Sequence, residues 1–475
     1  MSSQCRSGHH ARASVLTAGR ATASGRDDSH ARASVLTAGR ATASGRTAGH
    51  ATTSGRTAGR ATASGRDDSH ARALGLIRAR PGSAARIREN GRVGRSGMTL
   101  RVGVVGGGQL ARMMIAPAVE IGIELCVLAE QDGMAAGLAA SAVGDYRDEQ
   151  TVLDFARTVD VVTFDHEHVP QPVLRALVDA GIAVHPGPDA LLYAQDKLLM
   201  RARLDELGMP QPDWAAVTDT TGLQRFLDEH GGRAVVKTPR GGYDGKGVRV
   251  VETATEADDW FAALAEDARG GALLVEELVD FRRELSQQVA RRPSGQIRAY
   301  PVVETVQRDG VCAEVIAPAP HLSARLGEVA AEVGTGIAEG LGVTGMLAVE
   351  MFETTDDRVL VNELAMRPHN SGHWSQDGAV TGQFEQHLRA VLDLPLGDPS
   401  PRQEWAVMVN ILGGPQSDAL DARFARVMAA HPGVKLHTYG KDPRPGRKVG
   451  HVNAVGDDLD DVVYDARAAA AFFEG

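Results

Sequence analysis

From residue 99 onward, short apolar runs alternate with stretches in which apolar residues recur every three or four positions, a pattern of strands interleaved with amphipathic helices. Residues 100–105 read as a strand, 106–111 as a glycine turn, and the chain to Val119 as a helix, with a second strand over 124–128. Helices over 152–157 and 173–180 then alternate with strands over 161–164 and 182–184, the order of a parallel, doubly wound sheet. A helix over 196–207, closed by Gly208, Met209 and Pro210, opens a second region. There, helices over 221–230 and 255–266 surround short strands over 234–237 and 248–251, and an apolar run over 273–279 carries acids near its end. Farther on, 346–352 and 359–361 read as two strands joined by a turn of Thr354, Thr355, Asp356 and Asp357.

Several joints between these elements carry chemistry. The glycine turn has the spacing Gly-x-Gly-x-x-Ala, with Glu130 about twenty residues on, which matches a dinucleotide fingerprint. Such a turn lets a phosphate approach the backbone and a helix N-terminus favours its charge, so it suits any phosphorylated ligand. Asp165, His166, Glu167 and His168 follow the third strand, on a loop where sheets of this kind bind ligands. Lys237 ends a strand and leads into a loop with glycines at 241, 242, 245 and 247 and with Tyr243 and Asp244 among them. Its amides can cover polyphosphate while the lysine pairs with it. A Walker loop would instead pass straight into a helix. Glu276 and Glu277 lie at the end of the next strand, where backbone can meet an adenine, and Glu284 is placed for ribose hydroxyls.

Glu350 and Glu363, on two joined strands, come side by side across a hairpin. Adjacent carboxylates repel unless a cation lies between them, and oxygen ligands of this type suit magnesium shared with nucleotide phosphates. The alternative is a pair of solvated strand-end acids. Just beyond Glu363 come Arg367, His369, Asn370 and His373, more polar chemistry than a turn needs.

Composition changes this picture at one end of the chain. The first 97 residues hold 17 Arg, no Lys and 5 acids, a net of +12, and the remainder carries −22 of the total −10. They repeat: residues 10–20 return at 30–40, and a ten-residue Thr-Ala-Gly unit starts at Thr17, Thr37, Thr47 and Thr57. Small polar residues with few apolar ones cannot offset the entropy of ordering, so this segment is expected to be disordered and not a solenoid. A nucleic-acid tail and a transit peptide fit the arginines, but an intact domain beginning directly after Met98 favours upstream sequence that is not part of the protein. No apolar run spans a membrane and no secretory signal is present. Three scattered cysteines give neither a disulfide framework nor a zinc site, and a reducing cytoplasm is expected.

The order of glycine-turn domain, lysine strand, glycine flap, acidic strand end and paired carboxylates resembles the ATP-grasp ligases. Residues 237–247, 283–286, 300–304, 367–374, 383–390 and 444–453 resemble the 5-(carboxyamino)imidazole ribonucleotide synthases of purine biosynthesis, most specifically through Arg-Pro-His-Asn-Ser-Gly-His-Trp at 367–374. The resemblance runs from Met98 to the C-terminus. It implies a Rossmann-like domain over 98–195, an ATP-grasp domain over 196–400 with a lid near 210–270, and a small β-rich domain over 401–475. It implies ATP-dependent phosphorylation of bicarbonate, followed by carboxylation of the exocyclic amine of aminoimidazole ribonucleotide, in a homodimer that binds neither nucleic acid nor membrane.

By the same resemblance, Glu350 and Glu363 hold magnesium, with manganese as a substitute. Lys197, Lys237, Gly242, Asp244, Gly245, Gly247, Glu276, Glu277, Val279, Glu284 and Asn362 bind ATP. Arg367 and His369 face bicarbonate and carboxyphosphate. Gln109, Tyr243, Asp244, Asn370, Lys441, Arg447 and Lys448 bind the ribonucleotide, its phosphate falling to the last three, and Glu167 with Tyr243 takes the amine proton. The sequence departs from the family at Met366, where proline is usual, and at Asp165, His166 and His168 around Glu167. The alternatives are another ATP-grasp enzyme, which would not explain Lys441, Arg447 and Lys448, and a nicotinamide-dependent oxidoreductase built on the glycine turn, which gives no purpose to Glu350 and Glu363.

Overall fold

The structure is a computed structural model that describes residues 99–241, 247–266, 271–415 and 419–474. The arginine-rich repeats, Met98, and Gly242, Tyr243, Asp244 and Gly245 of the glycine loop lie outside the described residues.

The first region is a parallel sheet. Strands β1 (Arg101–Val105), β2 (Glu124–Ala129), β3 (Ala140–Val143) and β4 (Val161–Phe164) pair in the order β3-β2-β1-β4. Helices α1 (Gln109–Glu120) and α2 (Glu149–Ala156) pack on it, α3 (Gln171–Asp179) packs on α2, and α4 (Pro188–Gln195) packs between α3 and the next helix. All of β4 and most of β1 are buried, which is why they read as mainly apolar runs and not as alternating ones. The strand expected at 182–184 shrinks to one bridge between Val184 and Val162. Pro186 and Pro188 follow at once, and a residue without an N–H cannot extend the ladder. β3 escapes the periodicity because it lies at the sheet edge and is largely exposed.

The second region begins with α5 (Lys197–Glu206), capped by Asp196, whose carboxylate accepts the Leu198 and Leu199 amides. It continues with β5 (Trp214–Val217), α6 (Thr220–Glu229), β6 (Ala234–Lys237), β7 (Val248–Val251), α7 (Asp258–Glu266) and β8 (Leu273–Glu277). The strands form a small antiparallel sheet, β5-β8-β6-β7. Leu223, Phe226 and Leu227 of α6 pack with Val236, Val251 and Val275, each worth about 1.5–3 kcal/mol when fully buried. The helix expected over 255–266 is split, because Ala254–Ala257 forms a 3-10 turn before α7.

The remaining elements are β9 (Phe281–Arg291), β10 (Ile297–Ala299), β11 (Val303–Arg308), β12 (Val311–Ala317), α8 (Ala324–Gly340), β13 (Gly345–Thr354), β14 (Val359–Ala365), α9 (Ser375–Gly378), α10 (Gln383–Val391), β15 (Trp405–Leu412), α11 (Phe424–Ala430), β16 (Lys435–Thr438), β17 (Lys448–Gly456) and α12 (Leu459–Ala471). Their strands form one sheet in the order β14-β13-β9-β11-β12-β15-β17-β16, with β10 beside β9. The C-terminal strands thus extend the same sheet through the β12–β15 pair. α8 and α10 pack on β13, and its residues from Gly345 to Val349 are buried on both faces. Partial exposure returns at Glu350. Among the described residues, no helix is long and apolar enough to cross a membrane.

Candidate active site

β13 and β14 run antiparallel and set Glu350 opposite Glu363. Immediately beyond, the register slips, Met351 faces Val361, and Asn362 becomes the extra residue of a bulge. A bulge re-aims side chains, and here Asn362 and Glu363 both meet lysines. Lys237 Nζ donates to Asn362 Oδ1 at 3.1 Å, and Lys197 Nζ donates to Glu363 Oε1 at 2.8 Å. Burial, with repulsion from Glu363 and Glu284, pushes the Glu350 carboxyl up to about 8, against the pull of Lys448 and Arg367. Burial also raises Glu284, which accepts a bond from Gln307 Nε2 at 2.9 Å.

Among the described residues no group of three or more acids, histidines or cysteines is arranged to hold a metal ion. Two oxygen donors that repel each other nevertheless fit magnesium, which keeps several waters and binds through one or two carboxylates plus substrate phosphates.

The carboxylate of Glu276 is committed elsewhere. It is 3 % exposed, accepts Lys237 Nζ on one oxygen at 2.6 Å, and accepts Arg201 Nε on the other at 2.7 Å. Burial pushes this carboxyl up, but Lys237 and Arg201 outweigh it and the net shift is down. Its side chain therefore fixes Lys237. Arg201 is fully buried and donates to the carbonyls of Val361 at 2.7 Å and Asn362 at 2.8 Å, so it ties the small sheet to the bulge. Sequence reasoning missed it, although four residues after Lys197 on one helix is the same face. Glu277 accepts the Asp213 amide at 3.2 Å, and Val279 follows, half-buried. Gly247 closes the base of the glycine loop at φ +71°, its carbonyl accepting the Thr238 amide.

Arg367 follows β14 and donates through Nε to Glu167 Oε2 at 2.7 Å, which brings the loop of the first region onto this turn. His369 Nδ1 meets Ser371 Oγ at 2.8 Å and its Nε2 lies 3.6 Å from Glu350 Oε1. Burial, then the charges of Arg367 and Lys448, hold His369 well below its usual range, so the ring is neutral. Asn370 is buried in the short 3-10 turn that follows. Lys448 arrives from the far end of the sheet. β17 slips against β15 so that Gly450 faces Ile411 while Lys448 faces Leu412. Val449 and Val452, three residues apart, consequently share one apolar cluster. The opposite side of β17 carries His451 and Asn453, and the charge of Lys448 reaches His369, His373 and Glu350.

The glycine turn is filled from within. Glu130 Oε2 accepts the Gly107 amide at 3.0 Å, and Asp165 Oδ1 accepts the Ala111 amide at 2.7 Å. A Cβ on Gly108 would lie 1.9 Å from Asp165 Oδ2, so glycine is required there by the carboxylate and not by a pyrophosphate. His166 and the Gly107 amide, against burial, draw Glu130 down to about 2, whereas burial raises Asp165. This occupancy removes the nicotinamide alternative. At the rim, Lys441 Nζ donates to Gln109 Oε1 at 2.6 Å, and Arg447 donates to the Asp442 carbonyl on an exposed turn.

Comparison with known proteins follows the same division. The ATP-grasp domain matches residues 202–384, the ribonucleotide synthetase preATP-grasp domain 98–195, and the phosphoribosylaminoimidazole carboxylase C-terminal domain 406–464. The chain is 50 % identical over 373 residues to N5-carboxyaminoimidazole ribonucleotide synthase of Mycobacterium tuberculosis, covering 78 % of this chain and 86 % of that protein. The corresponding enzyme of Corynebacterium ammoniagenes is 48 % identical over 380 residues, covering 78 % and 91 %. The crystal structure of N5-carboxyaminoimidazole ribonucleotide synthetase from Thermus thermophilus superposes with a TM-score of 0.70 at 36 % identity, covering 79 % of this chain and 99 % of that one. The Aspergillus clavatus enzyme in complex with ADP and 5-aminoimidazole ribonucleotide gives a TM-score of 0.71 at 28 % identity, covering 79 % and 98 %. Identity of this extent, over all three domains, means that the chain belongs to the N5-carboxyaminoimidazole ribonucleotide synthase family of ATP-grasp enzymes.

Proposed function

We propose that this chain performs the ATP-dependent carboxylation of 5-aminoimidazole ribonucleotide, with bicarbonate as the carbon source and carboxyphosphate as the intermediate. The observation that carries the reading is the register pair Glu350 and Glu363, flanked by Lys197 and Lys237 on one side and by Arg367 and His369 on the other. Glu350 and Glu363 would hold magnesium, which supplies charge neutralisation on the phosphates as the terminal phosphoryl group moves.

Lys237, held by Glu276 and Asn362, is aimed at the phosphates, and Lys197 covers Glu363 until a nucleotide arrives. Glu284 faces the ribose. Arg367 presents its guanidinium to bicarbonate oxygens, a geometry suited to two parallel hydrogen bonds, and neutral His369 donates or accepts beside it. An oxygen of bicarbonate takes the phosphoryl group and ADP leaves. The exocyclic nitrogen of the ribonucleotide then bonds to the carboxyl carbon as the carbon–oxygen bond to phosphate breaks, and the amine proton passes to Glu167, with Tyr243 at the same step. Lys441, Arg447 and Lys448 bind the ribonucleotide phosphate, with Gln109 and Asn370 lining the way to it. By the family resemblance, Gly242, Tyr243, Asp244 and Gly245 belong to the loop that would keep water from carboxyphosphate.

The enzyme works as a homodimer in a reducing cytoplasm. Val119, Leu138 and Val178, exposed on the first region, supply apolar surface for such an interface, and Cys126 and Cys312 are buried free thiols. The test is phosphate release from ATP with magnesium and bicarbonate, with and without 5-aminoimidazole ribonucleotide. Strong stimulation that requires bicarbonate supports the assignment. Turnover that ignores the ribonucleotide and responds to another amine would discard it while keeping the ATP-grasp chemistry.

A further inference from the structure

Three imidazoles lie in a row between the 367–374 turn and the C-terminal strands. His373 stacks on His451 with ring centroids 4.9 Å apart and planes at 26°, and His451 stacks on His437 at 4.6 Å and 16°. The first two are fully buried. His437 is the partly exposed end, and its Nε2 bonds to Asp377 Oδ2 at 2.7 Å. Asn453 Nδ2 donates to the same oxygen at 2.7 Å and to the His373 carbonyl at 3.1 Å.

Gln383 clamps the other end. Its Oε1 accepts the His369 amide at 2.9 Å, so its Nε2 donates both to the His369 carbonyl at 2.9 Å and to His373 Nδ1 at 2.8 Å. Backbone thereby fixes the orientation of the Gln383 amide, and that orientation fixes the tautomer of His373, with the proton on Nε2. The Tyr439 hydroxyl bonds His451 Nδ1 at 2.7 Å. Nε2 of both His373 and His451 is buried with no hydrogen-bond partner among the described residues. The rings meet by their faces and no nitrogen of one bonds a nitrogen of the next, so the row offers no proton path along its length. What it can carry is position.

Each ring is tied to a different part of the proposed site. His373 sits on the turn with Arg367 and His369, His451 is three residues from Lys448 on β17, and His437 is four residues from Lys441, the partner of Gln109. We propose that the row His373, His451 and His437, clamped by Gln383 and Asp377, is the positioning element that holds the phosphate-binding Lys448 and Lys441 in register with Arg367 and His369. This rests on the reading that those lysines bind the ribonucleotide phosphate. Uncharged rings at His373 and His451 suit the task because a buried cation there would repel both lysines and Arg367, and burial, the largest cause in each, holds both rings well below the usual histidine range.

The test compares His451→Ala with the double variant His451→Phe/Tyr439→Phe, measuring KM for the ribonucleotide and for ATP separately. The double variant keeps ring faces in the row and removes both partners of a buried hydrogen bond together, a change that can be nearly neutral. A misplacement of about 1 Å costs on the order of 10²-fold in a site that depends on orientation. His451→Ala should therefore raise the ribonucleotide KM about tenfold or more while the ATP KM stays within about twofold, and the double variant should remain close to wild type. Asp377→Asn, which preserves shape and loosens His437, should give a smaller split of the same kind and serves if the alanine variant does not fold. Lys448→Ala is the control. If it leaves the ribonucleotide KM unchanged, the phosphate reading itself is wrong. If it raises that KM while His451→Ala and Asp377→Asn do not, only the positioning role is overturned. Equal rises in both KM values, or a collapse of kcat in the double variant, would also overturn it, the first pointing to general damage and the second to proton transfer.

Discussion

The proton on Glu350 should make the ligand-free protein less stable as pH rises. A carboxyl that titrates at about 8 in the folded chain and at 4.5 ordinarily binds more protons folded than unfolded throughout that window. Stability then falls with increasing pH from 4.5 until the folded group has ionised, and is level beyond it. At 1.36 kcal/mol per unit, the shift corresponds to at most about 5 kcal/mol. The side chain keeps 26 % of its surface exposed, so water reduces this to roughly 2–3 kcal/mol. Glu350→Gln removes the titrating group with little change in shape. Urea midpoints of wild type and variant, taken in chelator from pH 5 to pH 8.5, should agree at the acid end and diverge by about that amount at the alkaline end, the variant being the more stable. Adding magnesium and a non-hydrolysable ATP analogue should flatten the wild-type profile, because the cation replaces the proton. Parallel profiles for the two proteins would refute the reasoning.

Arg201→Met should cost about 3–5 kcal/mol of stability, since it leaves Glu276 buried beside a single cation, and urea unfolding would detect the loss. Glu363→Gln should abolish ATP turnover with the circular dichroism spectrum unchanged; near-normal turnover would remove Glu363 from the cation pair. Glu130 is depressed to about 2, so it contributes stability above its ordinary 4.5 that is lost as pH falls toward 2. Glu130→Gln should show a shallower acid limb than wild type in thermal melts over that range, and identical limbs would contradict the Gly107 and His166 contacts.

Local patterning made part of this molecule legible and hid the rest for definable reasons. The strands at Val161–Phe164, Ala234–Lys237 and Val248–Val251 have the bounds that periodicity assigns them, because short, mainly apolar runs flanked by polar residues or glycine admit few alternatives. The sequence expectation names no strands between 280 and 345, where the structure has β9 to β12, since polar residues such as Glu284, Gln287 and Gln288 interrupt the pattern and find partners only within the folded sheet. The facing of Glu350 and Glu363 was readable from the hairpin between them. The commitment of Glu276 to Arg201, 75 residues away, was not, and neither was the plugging of the glycine turn by Asp165, 54 residues from Ala111. In both, an acid at the right spacing for a ligand is satisfied by the protein itself, and spacing along the chain carries no signal of that.

The ladder from β12 to β15 has a consequence for how the molecule breathes. It makes the strands bearing Glu350, Glu363 and Lys448 one hydrogen-bonded sheet, so their amides should exchange with solvent through openings of similar, high free energy. The four-stranded sheet bearing Lys237 has its own small core, joined to the large one by Arg201 and Asn362, and its amides should exchange through cheaper, local openings. A compound wedged between Lys237 and Asn362 would hold that sheet away from the bulge and so idle the enzyme while leaving Glu350, Glu363, Arg367 and Lys448 in place.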